Sequence, residues 1–243
     1  MKLMQPEVKI LTQLDGNKIL LDLQRDAKTC YKSYKETDDV ESAKRIVKRL
    51  IESKHEAMLE FSDITVNFIG NVAMMKDLTR HRHASFAIES TRYANYSKGK
   101  FGSELKFLYP TEIEHNSQEY QLWLNTMLIV EKNYLAMAKL GAKPDQLSLL
   151  LPHSTVSEFN IRANLREWRH ILSLRSSIAA TGHARPCIAE IMDETLELFH
   201  AKIPVVFDDL YEQLQQKRAE QKLKEAKKAQ LTIPFEEFKQ NKR

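Results

Sequence analysis

Glycine is scarce in this chain, six among 243 residues, and none of the six falls into GxGxxG or P-loop spacing. Any dinucleotide must then be held by side chains, because the turn that cradles a pyrophosphate at a helix N-terminus needs those glycines. Cysteine is scarcer still. Cys30 and Cys187 lie far apart and form no CxxC, which argues against a zinc knuckle or a disulfide framework and fits a reducing compartment. Long apolar runs are missing as well: no stretch approaches the roughly 18 apolar residues that span a bilayer. The opening MKLMQPEVKILTQLDG has no continuous apolar segment of the signal-peptide kind. These absences lead us to expect a soluble, cytoplasmic protein with no membrane partner. The charge excess is also less than it looks. Residues 215–228, QQKRAEQKLKEAKK, hold six Lys/Arg and two Glu, which by itself equals the net charge of +4. The rest of the chain is formally neutral, whereas a nucleic-acid-binding domain usually carries its basic face on the folded body; no nucleic-acid partner is expected.

What is present suffices for a core, at 42% hydrophobic residues. VKILTQ near the start alternates as a strand does. In ESAKRIVKRLIESKHEAMLE, Ala43, Ile46, Val47, Leu50 and Ile51 follow the spacing of an amphipathic helix. SDITVNFIG puts Ile64, Val66 and Phe68 on one face and Asp63, Thr65 and Asn67 on the other, a half-buried strand. NVAMMKDLTRHR then reads as a short helix, and KGKFGSELKFLYP as a turn into a strand ended by Pro110. A long helix is expected over Ser117–Leu140, capped by Gly141 and stopped by Pro144. Further helices are expected over roughly Ser157–Leu174, Pro186–His200, and from Pro204 into the charged tail. The order implies an α+β fold, an antiparallel sheet flanked by long helices, with a single domain over 1–214. The tail, 215–243, keeps too few apolar positions to bury a face and reads as a solvated helix or a partly disordered segment.

The chemistry concentrates in RHRHASFAIESTRY, residues 80–93, with three arginines and two histidines. A metal site on His81 and His83 needs converging ligands; two apart on a helix these point about 200° away from each other, and no HExxH stands elsewhere. A polyanion surface needs an extended basic and aromatic face, which the neutral body does not offer. A phosphate pocket needs forked guanidinium donors and hydroxyls focused on one dianion. Ser90 and Arg92, if extended, project to the same side. A second cluster, NLREWRHILSLR, brings Asn164, Arg166, Arg169, His170 and Arg175 onto one helix. Two such clusters suggest a large phosphorylated ligand, or two ligands in one site.

RHR, seven residues (HASFAIE), Ser90, one residue, then Arg92 resembles the signature of the flavin-dependent thymidylate synthases. STRYANYSKGKFGSELKF, ANLREWRHILSLR and KHEAMLEF resemble the segments around it, in the right order over about residues 7–212. The resemblance implies methylation of dUMP to dTMP, with methylenetetrahydrofolate as carbon donor and FAD, reduced by NADPH, as hydride source. It also implies a homotetramer with shared active sites, no cysteine nucleophile and no metal. By the same resemblance, His55, Glu60, Arg80, His81, Arg82, Asn164, Arg166 and His170 would line the FAD. Asp77, Arg80, Ser90, Thr91, Arg92 and Arg175 would contact dUMP, with Arg175 the catalytic residue at the uracil ring. The chain departs from the family pattern at Ala57, Asp77, Ala87, Ile88 and Ser148. Relatives usually carry Gln or Glu where Asp77 stands, and a dUMP-binding Arg where Ser148 stands, a loss that Arg162 or Arg185 could make good. The departures gather around the nucleotide, which leaves two alternatives: a diverged enzyme for another pyrimidine nucleotide, or a catalytically silent flavin- or nucleotide-binding protein.

Overall fold

The computed structural model describes residues 1–32, 39–97, 103–180 and 184–240, with Tyr31 and residues 228–240 described by backbone alone. Its centre is a four-stranded antiparallel sheet in the order β2 (Glu7–Ile10), β3 (Asp63–Asn71), β6 (Val156–Asn164), β4 (Ser85–Ile88). Alternation decides which face is buried. Ile64, Val66 and Phe68 of β3 lie inward beside Phe159, Ile161 and Ala163 of β6, all buried. Phe68 and Phe159 sit opposite in register with ring centroids 5.5 Å apart. The other face is polar: the Asn67 side-chain amide donates to Asn160 Oδ1 at 2.7 Å and to Glu158 Oε1 at 2.9 Å.

The central strand β6 corrects the expectation of a helix over Ser157–Leu174. SEFNIRA carries charged and amide residues that suit a helix, yet Ser157, Phe159, Ile161 and Ala163 are buried at period two. Packing of that row on β3 overrides local propensity. The helix begins only at α6 (Leu165–Arg175), with Asn164 as both the last strand residue and the N-cap, its Oδ1 accepting from Glu167 N at 2.8 Å. Trp168, fully buried, ties α6 to the sheet by donating from Nε1 to Ile64 O at 2.9 Å.

The sequence reading passed over α1 (Gly16–Tyr31), which packs on α2 (Val40–Glu52). Its start touches the end of α7 (Pro186–Lys202) so closely that a Cβ on Gly16 would lie 2.0 Å from Lys202 O. The short helix α3 (Val72–Leu78) leads into the RHR triplet. The long helix α4 (Gln118–Lys139) has the expected cap, Ser117 accepting from Tyr120 N and Gly141 at φ +89°. With α5 (Pro144–Leu147) and the parallel pair β1 (Lys2–Met4) and β5 (Lys106–Leu108), α4 encloses a smaller apolar cluster around Phe107, Met127 and Tyr134. The turn expected before β5 falls on 98–102, outside the described residues. Helix α8 (Asp208–Gln240) buries Leu210 and Leu214 and then runs on through the charged tail. Among the described residues no helix is long and apolar enough to cross a membrane.

Candidate functional site

After α3 the chain turns sharply. His81 N donates to Leu78 O at 3.0 Å, and Ala84 N to His81 O at 3.3 Å. His81 and His83 are thus in turns, not on the helix the sequence suggested. The turn drives His81 inward, to 6% exposure, while Arg80 and Arg82 stay exposed on either side. Facing them is the C-terminal half of α6. Together they enclose a cavity of about 300 Å³ lined by Arg80, His81, Arg82, His170 and Arg175 among others.

Within it Arg175 is anchored twice: Nε donates to His81 Nε2 at 3.1 Å and Nη2 to Asp77 O at 3.2 Å. His81 Nδ1 lies 3.4 Å from Glu167 Oε1. Burial, then the positive charge of Arg175, then His170, depress the His81 pKa to about 4, so the imidazole is neutral at physiological pH. The Asp77 carboxylate accepts from Arg185 Nε at 2.9 Å. Arg162, the other cation considered as a substitute near Ser148, is instead paired with Asp63 on the polar sheet face.

A larger cavity of about 650 Å³ adjoins the first, sharing His83, Glu167 and His170 as walls. Arg166, His170 and Ser173 line it from α6, Asn164 from the cap before it, and Glu56 and Glu60 from the 3-10 turn Glu56–Phe61. Arg166 Nη1 donates to Glu60 Oε1 at 2.5 Å. A third cavity, about 440 Å³, continues past Glu56 and Arg166 to Lys54, His55 and Met58. The three share lining residues and form one tract beside α6. Among the described residues no group of three or more His, Cys, Asp or Glu is placed to hold a metal ion.

Nine of the residues that the resemblance assigned to FAD or dUMP therefore line this tract: His55, Glu60, Arg80, His81, Arg82, Asn164, Arg166, His170 and Arg175. Asp77 stands at its rim through Arg185 and Arg175. Ser90, Thr91 and Arg92 line none of the three cavities. The extended geometry assumed for Ser90 and Arg92 is also absent: Ser90 O accepts from Tyr93 N at 3.1 Å and Ala94 N at 3.0 Å, a turn. That turn follows β4, which pairs with β6 from Ser85 opposite Arg162 to Ile88 opposite Phe159, so it points away from Asn164. From Asn164 back to the level of Ser90 is roughly 23 Å of strand.

Arg169 needs a second correction. Counted with the ligand cations on sequence, it is buried and committed to the fold. It makes a bidentate pair with Asp209 (2.7 Å for each bond), a bond to Val206 O, and a contact to Glu56 at 3.3 Å. Burial works against its charge, but Asp209 and Glu56 outweigh this and hold its pKa above the ordinary value. Sequence reasoning missed Glu167, Ser173 and Lys54. The signal for the first two was available: once Asn164 caps the helix, residues 166, 167, 170, 173 and 174 fall on one face by i+3 and i+4 spacing.

The family model described as "Thymidylate synthase complementing protein" matches residues 21–205. A flavin-dependent thymidylate synthase of Pyrococcus abyssi is 28% identical over 158 residues, 65% of this chain and 63% of that protein. One from Wolinella succinogenes is 27% identical over 184 residues, 71% of this chain and 86% of that protein. The alignments cover 63% of the Pyrococcus protein and 59% of one from Thermococcus onnurineus, so each spans about three-fifths of those relatives. Among solved structures, the UMP/dUMP methylase PolB from Streptomyces cacaoi, bound with 5-Br dUMP, superposes with a TM-score of 0.68 at 20% identity. It covers 86% of this chain and 96% of that one, a likeness of fold.

Proposed function

The chain belongs to the thymidylate synthase complementing protein family, and on that premise we propose that it is a cytoplasmic flavin-dependent thymidylate synthase, transferring the one-carbon unit of methylenetetrahydrofolate to C5 of dUMP to give dTMP. The observation that carries this reading is the meeting of Arg80, His81, Arg82 and Arg175 around one cavity, with shared walls to the tract holding Asn164, Arg166 and His170.

The donor set fits FAD. The tract has the size of a cofactor site, in the range of about 300–1,000 Å³ for each pocket, and offers guanidinium and imidazole donors for a diphosphate with no glycine-rich turn. Bound FAD, reduced by NADPH, would supply the hydride. Asn164, Arg166, His170 and His55 would hold it, with Glu60 fixing Arg166. Arg80 and Arg82 would bind phosphate oxygens at the junction of flavin and nucleotide. Arg175 would face the uracil ring, where its charge stabilises the electron-rich, C5-nucleophilic form of the pyrimidine. Ser90, Thr91 and Arg92 would bind the dUMP phosphate of a neighbouring subunit in a homotetramer. Their absence from the cavities that hold Arg175 and the α6 donors within one chain supports sharing of the site.

The test is product analysis by mass. FAD-loaded protein is incubated anaerobically with dUMP, dCMP, methylenetetrahydrofolate and NADPH. One added methyl group on dUMP is the expected result, lost in Arg175→Ala. A second reading, a diverged enzyme for another pyrimidine nucleotide, is favoured by the Asp77–Arg185 pair beside Arg175. Modification of dCMP, or a hydroxymethyl product, would establish it instead. Flavin binding with neither nucleotide changed would leave a binding protein.

A further inference from the structure

Glu167 has no part in the chemistry proposed above, yet it is a carboxylate only 7% exposed on a wall shared by two cavities. A buried carboxylate persists where something uses its charge. Two features do. It occupies the first turn of α6, where the helix dipole favours an anion, and its Oε1 lies 3.4 Å from His81 Nδ1.

The hydrogen-bond inventory at His81 then has one solution. A neutral imidazole has one donor nitrogen and one acceptor nitrogen, and arginine has donors only. Arg175 Nε meets His81 at Nε2, 3.1 Å away, so Nε2 must be the bare nitrogen and the proton must sit on Nδ1. An imidazolium, or the opposite tautomer, would set N–H against N–H. We propose that Glu167 is a positioning residue: its carboxylate holds His81 as the Nδ1–H tautomer, which keeps Nε2 open to receive Arg175 and fixes the plane of that guanidinium toward the cavity. Asp77 O supplies the second anchor of the plane through Nη2. Calling that cavity the nucleotide's rests on the functional reading above; the tautomer itself does not.

Full-length protein labelled with 15N-histidine and free of ligand reports the tautomer through long-range 1H–15N correlations at pH 7.5, the His81 signals being those lost in His81→Gln. The Nδ1–H form is expected in the wild type. Glu167→Gln, whose side-chain carbonyl can face Nδ1 across the same 3.4 Å contact, keeps it. Glu167→Leu loses it, and kcat/KM for dUMP falls about 100-fold, as expected for a misaligned catalytic group, with recovery in the Gln variant. A wild-type His81 that is Nε2–H or doubly protonated overturns the proposal without any variant having to fold. So does a Glu167→Leu protein that folds and keeps the Nδ1–H form. If the wild type shows the expected tautomer but methylates no nucleotide, the functional reading fails while the role of Glu167 in orienting Arg175 stands.

Discussion

Removing the carboxylate of Asp209 tests whether Arg169 is a structural cation or a ligand-binding one. Arg169 is 8% exposed at its side chain and donates two bonds of 2.7 Å to Asp209. Breaking one partner of a buried ion pair costs about 3–5 kcal/mol, because the remaining charge is left without compensation. In Asp209→Ala, Glu56 stays at 3.3 Å and Val206 O still accepts. Asp209 itself is 44% exposed, so water enters where it stood. These put the expected loss at the lower end, about 3 kcal/mol. For a chain of this length, about 2–4 °C of melting temperature is lost per kcal/mol, giving a fall of roughly 6–12 °C. The assay is thermal unfolding at one fixed protein concentration, since association shifts the midpoint. The neighbouring Asp208→Ala is the control: its contact to His200 is 3.2 Å between partly exposed side chains, worth about 1 kcal/mol. An Asp209→Ala midpoint within about 2 °C of the wild type, or equal to that of Asp208→Ala, would refute the assignment.

Three further outcomes follow from the same geometry. His81 has a folded pKa of about 4 against an ordinary 6.5, so below pH 6.5 the unfolded chain takes up a proton that the folded one refuses. Stability should therefore fall from about pH 6.5 toward 4, by on the order of 3 kcal/mol in total. His81→Gln should flatten that part of the urea-midpoint profile, and an unchanged slope would contradict the burial argument. Gly16→Ala forces a Cβ to within 2.0 Å of a backbone oxygen, an overpacking worth about 1–3 kcal/mol in the thermal midpoint; an unshifted midpoint would mean the α1–α7 contact is loose. Finally, Arg92→Ala and Arg175→Ala should each be inactive alone yet regain part of the activity when unfolded and reassembled together. Failure of the mixture, with each variant reassembling as an oligomer, would argue against a site divided between subunits.

What could be read from the sequence was whatever repeated at short range. The alternation of Ile64, Val66 and Phe68, the spacing on α2 and the caps of α4 each report a local rule, and each appears where expected. The strand β6 was misread because its alternation is carried by Ser157, Phe159, Ile161 and Ala163, two of them small, between Glu158, Asn160 and Arg162, which suit a helix as well. Only pairing with β3 and β4, 85–101 and 71–77 residues distant, settles the matter. The site shows the same division. The RHR triplet and the α6 cations stood out as residue types, but the commitment of Arg169 to Asp209, forty residues on, left no mark in the local pattern.

The counterions along α6 separate one arginine from the other two. Arg166 faces Glu60, and Arg169 faces Asp209 and Glu56. In both, a carboxylate orients the guanidinium and cancels its charge, which suits holding a fold or a cofactor edge. Arg175 is oriented as firmly, by two bonds, but its acceptors are the neutral ring of His81 and the carbonyl of Asp77. Neither removes its charge. The nearest carboxylate on its own helix, Glu167, acts one residue removed, through the imidazole. A neutral acceptor fits the role proposed for Arg175: the geometry is fixed before a ligand arrives, and the full positive charge remains for electron density that builds up on that ligand. The depressed pKa of His81 is part of this arrangement, because a protonated ring would both lose its lone pair and repel the guanidinium it holds.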